Sequence, residues 1–362
     1  MEHYLITGGA GFIGSNFIHQ LISSRQDIHI TNLDALTYAG NPDNLKSVSN
    51  FPNYTFLNLD ICNDKDLVEL FVYSDFDKIV HFAAESHVDR SIENPMAFIQ
   101  TNVVGTANLL RVFLNFWQNA PQPKKEKFRF LHISTDEVYG SLEKGEKSFS
   151  ELTPYSPNSP YAASKAASDH LVRAYFTTYG FPAMITNCSN NYGPYQFPEK
   201  LIPLVIMNAL SGKPIPVYGD GGQIRDWLHV SDHCEALMDV IDNGQPGQTY
   251  NIGGDNQPTN LEIVNKICSI LDEECPESKF CPHSQLITYV KDRPGHDRRY
   301  AINFSKINKE LGWRPKINLD EGLKKTIQWY LANQEWVKAV VEKPNYSEWI
   351  KANYQNRREV KP

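Results

Sequence analysis

Short apolar runs alternate with longer segments of helical periodicity through the first half of the chain. This alternation is typical of a parallel sheet wrapped by helices, whose strands are covered on both faces and are therefore apolar throughout. The predicted strands span residues 4–7, 28–33, 54–57, 79–83, 128–134 and 183–186. Helices are predicted to begin near Gly11, Asp64, Pro95 and Pro160.

The regularity fades after about residue 190, where prolines and glycines interrupt the pattern. Helical patterns return at residues 201–210, 231–241, 261–271 and 319–333, with short strands between them. We therefore expect an α/β fold in two parts, a doubly wound parallel sheet in residues 1–190 and a smaller mixed α/β lobe in residues 191–362. The boundary is approximate, and some segments are expected to cross between the lobes. The charged tail, residues 355–362, is expected to fray.

Length and charge exclude several classes of function. The chain has 362 residues, of which 41% are apolar, and this is enough for about two domains with large cores. Its net charge is −7 and its pI is near 5.9, so neither nucleic acid nor an anionic membrane is an expected partner. The sequence contains no run of 18 or more apolar residues and begins directly in a strand-like segment. We expect neither a signal peptide nor a membrane span, and a cytoplasmic location.

Six cysteines are too few for a disulfide scaffold in a chain of this length, and they include no C-x-x-C pair. The closest pair, Cys275 and Cys281, flanks a loop that contains proline and has no histidines at metal-ligand spacing. We therefore expect reduced cysteines and no metal site.

The first predicted strand runs into Gly8, Gly11 and Gly14, spaced G-x-x-G-x-x-G at the start of a helix. Glycine lets the backbone approach a pyrophosphate closely, and a helix N-terminus offers free N–H groups and a positive dipole end. Asp34 ends the second strand 20 residues after Gly14. Its carboxylate can accept hydrogen bonds from a ribose and repels a 2′-phosphate. The pattern predicts a Rossmann-type NAD site, with NAD preferred to NADP.

Tyr161 and Lys165 lie four residues apart at the start of a predicted helix, and therefore on one face of it. An ammonium near a phenol favours the phenolate. We therefore expect Lys165, together with a positively charged nicotinamide ring, to lower the pKa of Tyr161. Tyr161 can then remove a proton from a substrate hydroxyl while a hydride leaves for the cofactor. The spacing alone is common, but here it follows the glycine pattern and a fifth strand that ends in Ser134 and Thr135.

Six segments resemble the extended short-chain dehydrogenase/reductase enzymes that act on nucleotide sugars. They are LDALTYAGN (33–41), AAESHVDRSI (83–92), STDEVYG (134–140), NCSNNYGP (187–194), RDW (225–227) and DRPGHDRRY (292–300). The resemblance runs from residue 4 to about residue 313, and the motifs together are highly specific.

Within this family, the resemblance implies dehydration of a hexose that is attached to a nucleoside diphosphate. Tyr161 would take the proton of the carbon 4 hydroxyl while NAD takes the hydride, and Thr135 would hydrogen-bond the carbon 4 oxygen. Glu137 would remove the carbon 5 proton as a base, and a protonated Asp136 would donate to the departing carbon 6 hydroxyl. Hydride return to carbon 6 then gives a 4-keto-6-deoxy sugar. The residues alone support such a pair, because adjacent carboxyl groups push their pKa values apart.

The expected cofactor is NAD, tightly bound and regenerated in each turnover. The residues expected to bind it are Gly8, Gly11, Phe12, Ile13, Gly14, Asp34, Ala35, Leu36, Thr37, Asp60, Ile61, Phe82, Ala83, Ala84, Ser86, Thr101, Tyr161, Lys165 and Asn191.

The expected substrate carries two phosphates, and guanidinium groups bind phosphate oxygens bidentately, which makes Arg225 and Arg293 candidate ligands. The residues expected to contact the nucleotide sugar are Ser86, Thr135, Asp136, Glu137, Asn190, Glu199, Lys200, Leu201, Pro216, Val217, Tyr218, Arg225, Asn260, Arg293, His296 and Tyr300.

The resemblance favours a thymidine nucleotide, but residues 254–258, Gln223 and His229 depart from the family pattern on the side expected to recognise the base. Thymine and uracil differ by one methyl group, so a uridine diphosphate sugar stays the alternative substrate. A nucleotide-sugar 4-epimerase or decarboxylase is less favoured, because neither needs an adjacent acid and base. A non-catalytic NAD-binding protein would have no use for the catalytic residues. The resemblance also implies a homodimer, formed by residues 95–119 and 159–179 as a four-helix bundle.

Overall fold

The computed structural model describes residues 1–355. Apart from Gln355, the tail predicted to fray, residues 355–362, lies outside the described residues. The strands are β1 Glu2–Thr7, β2 Ile28–Asp34, β3 Tyr54–Asn58, β4 Lys78–His81, β5 Arg129–Thr135, β6 Ala183–Cys188, β7 Asn190–Tyr192, β8 Ile215–Tyr218, β9 Trp227–His229, β10 Thr249–Ile252 and β11 Ile287–Val290.

Helices connect these strands and cover both faces of the main sheet. They are α1 Phe12–Ser24, α2 Asp64–Val72, α3 Val88–Glu93, α4 Pro95–Phe98, α5 Thr106–Asn119, α6 Gln122–Lys127, α7 Pro160–Tyr179, α8 Leu201–Ser211, α9 Val230–Asn243, α10 Asn260–Glu274, α11 Ser305–Leu311, α12 Leu319–Ala332, α13 Gln334–Val341 and α14 Pro344–Gln355. Among these helices of residues 1–355, none combines the length and the apolar composition that a membrane crossing needs.

Seven parallel strands form the main sheet in the order β10-β6-β5-β4-β1-β2-β3. Successive side chains of a strand face opposite sides, and both sides are packed here. Tyr4 and Ile6 of β1 contribute to the core that contains α1 and α9, whereas Leu5 contributes to the core that contains α2, α5 and α7. The predicted doubly wound, Rossmann-type sheet is confirmed.

The strand order reverses beside β1, which pairs with β2 on one side and with β4 on the other. Connections leave the carboxyl ends of these strands toward opposite faces of the sheet, and the chain therefore parts to leave a crevice. The expected site residues at the ends of β1, β2, β4 and β5 meet at this crevice.

A second layer of short elements lies beyond the carboxyl edge of the sheet. Strand β8 pairs with β11, and β7 pairs with β9, each in parallel. Helices α8, α10 and α12 pack around them with a separate apolar core that includes Ile206, Ile267 and Ile327. These short strands bring residues 216–218 beside residues 288–290, and residue 190 beside residue 227.

The two predicted parts are interleaved. Strand β10 is the outermost strand of the main sheet, next to β6, although it follows residue 190 by almost 60 positions. Helix α9 also packs on the main sheet, where Leu237 and Val240 share a core with Phe17 of α1. The division into residues 1–190 and 191–362 stays a prediction. That prediction included segments that cross between the two lobes.

The helix predicted to begin near Pro95 contains a wider turn. Residues Ile99–Gly105 form a π-helical segment between α4 and α5. Within this segment the buried Asn102 binds both backbone groups of Glu85, at 2.9 and 3.0 Å, and donates to Ser164 Oγ at 2.8 Å. Segments of this kind often occur at functional sites. Here the wide turn fastens the loop after β4 to helix α7.

Candidate active site

The glycine-rich turn lies between β1 and α1, and two of its glycines are required by close backbone contacts. Gly8 has a φ of +73°, and a Cβ there would lie 2.5 Å from the backbone nitrogen of Ala83. A Cβ on Gly14 would lie 2.4 Å from the carbonyl oxygen of Gly8. A Cβ on Gly11 would meet only that same oxygen, at 3.2 Å. Gly11 is also the N-cap residue of α1 and provides no side-chain hydrogen bond there. The helix N-terminus is therefore bare on the cavity side, as an anion site requires.

Asp34 ends β2 with its carboxylate fixed. Its Oδ2 accepts a hydrogen bond from Ala10 N at 2.9 Å, and its Oδ1 accepts one from Leu36 N at 2.8 Å. Burial raises the pKa of Asp34, and these two backbone donors act against the rise. The carboxylate faces the cavity in one orientation, which suits recognition of a ribose.

Strand β5 ends in the three residues of the expected acid–base set. Thr135 caps a short 3₁₀ helix, Asp136–Tyr139, because its Oγ1 accepts a hydrogen bond from Glu137 N at 3.3 Å. Asp136 and Glu137 therefore form the first turn after the strand. Helix α7 begins beside them with Ser159, whose Oγ accepts from Ala162 N at 3.1 Å, and with proline at its first position.

The lowering of the Tyr161 pKa by Lys165 together with a nicotinamide ring stays a prediction. Burial and the neighbouring Glu137 carboxylate raise the pKa of Tyr161 well above its ordinary value. Lys165 is also buried, and its Nζ donates to Ile133 O at 2.7 Å. Desolvation, which the spacing of the two residues could not reveal, is the larger effect here.

Asp136 is a buried carboxyl group whose surroundings favour its protonated form. Its side chain is 1% exposed, and its Oδ2 has no hydrogen-bond partner within the described residues. Burial raises the pKa of Asp136 well above its ordinary value, and the charges of Glu137 and Asp226 add to the rise. The direction of this shift suits an acid, and the role of Asp136 as that acid stays a prediction.

Glu137 lies beside a concentration of positive charge. Burial raises the pKa of its carboxyl, and Arg293, Arg225 and Lys200, in that order, oppose the rise. The adjacent carboxyl groups at 136 and 137 thus face different surroundings. Asp136 faces the charges of Glu137 and Asp226 with only Arg225 opposing them, whereas Glu137 faces three cations. This difference separates an acid from a base.

Two adjoining cavities contain the expected site. The first lies over the main sheet and is lined by every residue expected to bind the cofactor except Leu36. The second lies toward the smaller lobe and is lined by every residue expected to bind the substrate except Thr135, Asp136 and Tyr300. Residues common to both are Ser86, Glu137, Asn190, Asn191, Gln196, Glu199 and Lys200.

The exceptions have local causes. Leu36 has a φ of +52°, and the sharp turn places it on a neighbouring surface cavity. Thr135 lines the first cavity instead of the second. Tyr300 lies under the guanidinium of Arg225, whose central carbon is 4.2 Å from the ring centroid, and donates its hydroxyl hydrogen bond to Asp297. Tyr300 therefore supports a candidate phosphate ligand without lining the cavity.

Several residues that line the first cavity carry no assignment from the sequence. They include Tyr38, Glu85, Ser134, Cys188, Gln196 and Phe197. Four of them belong to the family motifs, so the signal was present, but the role of a single residue within a motif depends on contacts that no local pattern contains. Within residues 1–355, no group of three or more His, Cys, Asp or Glu side chains is arranged to hold a metal ion.

The parallel sheet, the glycine-rich turn and the Tyr161 and Lys165 pair define a Rossmann-type fold of the short-chain dehydrogenase/reductase class. The GDP-mannose 4,6 dehydratase family model matches residues 5–326. A dTDP-glucose 4,6-dehydratase of Salmonella typhimurium is 54% identical over 361 residues, which cover 98% of this chain and 99% of that protein. One from Neisseria meningitidis is 54% identical over 338 residues, covering 93% and 95%. The chain belongs to the GDP-mannose 4,6 dehydratase family, in its group of dTDP-glucose 4,6-dehydratases.

Solved structures agree with this placement. The dTDP-glucose 4,6-dehydratase of Bacillus anthracis in complex with NAD is similar with a TM-score of 0.82 and 47% identity, over 94% of this chain and 100% of that one. The Streptomyces venezuelae enzyme with NAD and TYD bound gives a TM-score of 0.84 at 44% identity, over 93% and 99%. A UDP-glucose 4-epimerase of Thermus thermophilus in complex with NAD has a TM-score of 0.79 at 27% identity, over 91% and 99%.

Replacement of Gly14 tests the close packing of the turn. Gly14→Ala should destabilise the protein by about 1–3 kcal/mol, because the new methyl group overlaps the backbone of Gly8 and cannot be relieved by a side-chain movement. The measurement is thermal or urea unfolding. Gly11→Ala is the matched control and should unfold close to wild type. Equal stability of the Gly14 variant and wild type would contradict the packing described here.

The raised pKa of Asp136 predicts a pH-dependent gain in stability from Asp136→Asn. The pKa of Asp136 is higher in the folded than in the unfolded protein. Above the ordinary carboxyl pKa, folding therefore takes up protons and wild type loses stability as pH rises. Asparagine does not titrate. The variant should therefore exceed wild type in Tm by about 2 °C or more at pH 8, and by less near pH 4. Asp27→Asn, at an exposed position, is the control; a larger gain at acid pH would contradict the protonation of Asp136.

Proposed function

We propose that this protein is a hydro-lyase that converts dTDP-glucose to dTDP-4-keto-6-deoxyglucose, with NAD regenerated in every turnover. The names of its relatives and the NAD in two of the similar structures support this reaction. One observation carries the proposal. Thr135, Glu137 and Tyr161 line one cleft, next to the buried carboxyl group of Asp136, whose pKa burial raises well above its ordinary value.

The residues present fit NAD. The bare N-terminus of α1 and the side-chain-free surface at Gly11 suit a pyrophosphate. The fixed carboxylate of Asp34 suits the hydroxyls of an adenosine ribose and disfavours a 2′-phosphate. When bound, NAD accepts the hydride from carbon 4 of the sugar and returns it to carbon 6.

Tyr161 acts as the base for the carbon 4 hydroxyl. Because the pKa of Tyr161 is raised by burial, the phenolate needs a positive charge nearby. Lys165 keeps its ammonium on the same face of α7, held on Ile133 O. Thr135 lines the same cavity and can hydrogen-bond the carbon 4 oxygen. These groups orient the sugar and receive its proton.

Elimination of water uses the two carboxyl groups after β5. Glu137, which lines both cavities, removes the proton from carbon 5. Asp136 gives its proton to the departing carbon 6 hydroxyl, so that water leaves as a neutral molecule. Its protonation supports this role, and its Oδ1 lies 3.4 Å from the hydroxyl of Thr135, which lines the cavity. Glu137 then returns its proton to carbon 5.

The diphosphate of the substrate lies between Arg225 and Arg293. Both guanidinium groups are buried or nearly so and line the second cavity, and the Nε of Arg293 has no partner within the described residues. Lys200 adds a third cation, whose Nζ donates to Ser86 O at 2.9 Å. Asn260, with a buried and unpaired Oδ1, and residues 216–218 are available for the base. A buried cation cluster is stable in an acidic protein because an anion neutralises it.

We also propose a homodimer and a cytoplasmic location. Apolar side chains are exposed along residues 95–119, which the sequence assigns to a dimer interface, with Met96 65% exposed and Ile99 43% exposed, accompanied by Val104. Exposed apolar groups that are contiguous along helices commonly mark an interface. A second copy of this chain would cover them through the predicted four-helix bundle.

The isotope path tests the proposed reaction. With dTDP-glucose deuterated at carbon 4, the product should be a 4-keto sugar that carries deuterium in its new methyl group, with no net NADH formed. Nuclear magnetic resonance and absorbance measure these outcomes. Tyr161→Phe should lower the rate by about 10²-fold or more, as expected for loss of a general base. UDP-glucose in a parallel reaction tests the nucleotide. Deuterium absent from the methyl group, or a galactose product as from an epimerase, would exclude the proposal.

The dimer is tested by charge substitution at the exposed apolar segment. Met96→Lys with Ile99→Lys should convert a dimer to a monomer in light scattering, because two buried ammonium groups per subunit cannot be paired in an apolar interface. Val72→Lys, on α2 where the native side chain is 69% exposed, is the control and should leave a dimer. A wild-type monomer, or a dimer that survives both lysines, would contradict this interface.

A further inference from the structure

Arg90, on helix α3, lies between two aromatic rings. Its guanidinium carbon is 4.0 Å from the ring centroid of Tyr38 and 4.2 Å from that of Trp349. The side chain is 20% exposed, so water screens these contacts little. A guanidinium stacked on aromatic faces is held in plane as well as attracted.

The same guanidinium makes a buried ion pair. Arg90 Nε and Nη2 both lie 3.0 Å from Glu199 Oε2, and the Glu199 side chain is 1% exposed. Burial raises the pKa of Glu199, and Lys200, Arg90 and Tyr38 oppose the rise. Arg90 therefore joins Tyr38 and Glu199 into one packed unit.

The two residues joined by Arg90 come from two different segments of the cavity wall. Tyr38 belongs to the loop after β2, and Asp34 is the last residue of β2. Both residues line the first cavity. Glu199 precedes α8 and lines both cavities. Arg90 itself lines neither of them; it lies on the neighbouring surface cavity. Arg90 therefore connects segments of the cavity wall and does not itself contact a molecule bound in either cavity.

Helix α14 covers this connection from outside. Trp349 packs edge-on against His87, with ring centroids 5.6 Å apart, and is 8% exposed. The Tyr346 hydroxyl donates to Pro198 O at 3.2 Å, and the Tyr346 ring contacts Phe197. Phe197 and Pro198 directly precede Glu199 in the chain. The C-terminal helix is thereby attached to the wall that contains Glu199.

Helix α13 reaches the other wall. Trp336 Nε1 donates to Asn44 Oδ1 at 2.8 Å, and Asn44 Nδ2 donates to Ala10 O at 2.9 Å. Ala10 lies in the glycine-rich turn and its backbone nitrogen binds Asp34. The C-terminal helices thus contact the adenosine side of the first cavity at one end and the wall shared by both cavities at the other.

We propose that Arg90 is a positioning residue that fastens the loop after β2 to the segment before α8, and that helices α13 and α14 secure it, so that the dinucleotide cannot leave while the walls are joined. This inference rests on the proposed function, in which the same NAD molecule must receive and return one hydride. Loss of the cofactor between those two steps would leave an unfinished keto sugar. A dinucleotide is the occupant because the joined walls are those of the first cavity.

The test measures NAD binding without any sugar. Arg90→Met should raise the NAD dissociation constant about tenfold or more, since the variant loses two aromatic contacts and the guanidinium that pairs with Glu199. Purified variant should lose NAD on gel filtration, whereas wild type retains it. Trp349→Ala should show the same loss to a smaller degree. Arg90→Lys keeps the charge but loses the planar stacking. Its NAD dissociation constant should lie between those of Arg90→Met and wild type.

Arg25→Met is the matched control. Arg25 also pairs with a carboxylate, Asp242, and lies 5.8 Å from the ring centroid of Tyr4, but at the opposite end of the sheet. The Arg25→Met variant should have the NAD dissociation constant of wild type. Saturating NAD should restore the kcat of Arg90→Met to within about twofold of wild type, with the defect confined to the concentration of NAD required.

The possible outcomes separate the two proposals. Wild-type NAD affinity in Arg90→Met and Arg90→Lys, equal loss in Arg25→Met, or a kcat that saturating NAD does not restore would each overturn the role of Arg90. If Arg90→Met does not fold, Arg90→Lys and Trp349→Ala decide, because each removes only part of the arrangement. A wild-type protein that binds NAD with the predicted dependence on Arg90 but does not dehydrate dTDP-glucose would reject the proposed function alone.

Discussion

The site depends on the removal of charged groups from water at the carboxyl ends of parallel strands. Lys165, Asp136 and Arg225 are each almost wholly buried there, and for each of them burial is the largest influence on its pKa. An isolated buried charge costs several kcal/mol, so the arrangement persists only where carboxylates, cations and backbone groups offset one another. The chemistry follows from the imbalance: the charges of Glu137 and Asp226 add to the effect of burial at Asp136 and favour its protonated form, whereas Glu137 faces three cations.

Topology determines which groups come together. The reversal of strand order beside β1 opens the crevice, and the parallel direction of all seven strands delivers the ends of β1, β2, β4 and β5 to one edge. The short pairs β7 with β9 and β8 with β11 bring Arg225 and Arg293 to the same place from the smaller lobe. Cofactor residues and substrate residues therefore share a wall, and this shared wall is the part that Arg90 fastens.

Much of this could be predicted from local patterns. The glycine-rich turn, Asp34 and the two residues on α7 have fixed spacings, and the structure places them in one cavity. The pKa of Tyr161 could not be predicted, because its direction depends on how burial compares with a nearby charge. The position of Leu36 depends on a positive φ. The π-helical turn at Ile99–Gly105 was predicted as part of an ordinary helix, because its apolar spacing does not distinguish the two. The contact of Arg90 with Trp349 could not be predicted from a local pattern, because the two residues are 259 positions apart in the sequence.

The place of β10 in the main sheet has a further consequence. The chain leaves the sheet after β6, builds much of the smaller lobe, and returns to add the last strand beside β6. Without that strand, β6 would present a row of unpaired backbone groups, which is a template for association with other chains. Only the part of the smaller lobe between β6 and β10, which contains β7, α8, β8 and β9, is therefore inserted within the sheet's own connectivity. Evolution can remodel its loops for new sugars freely, but it cannot exchange the whole lobe as a module without also replacing the edge that protects the sheet.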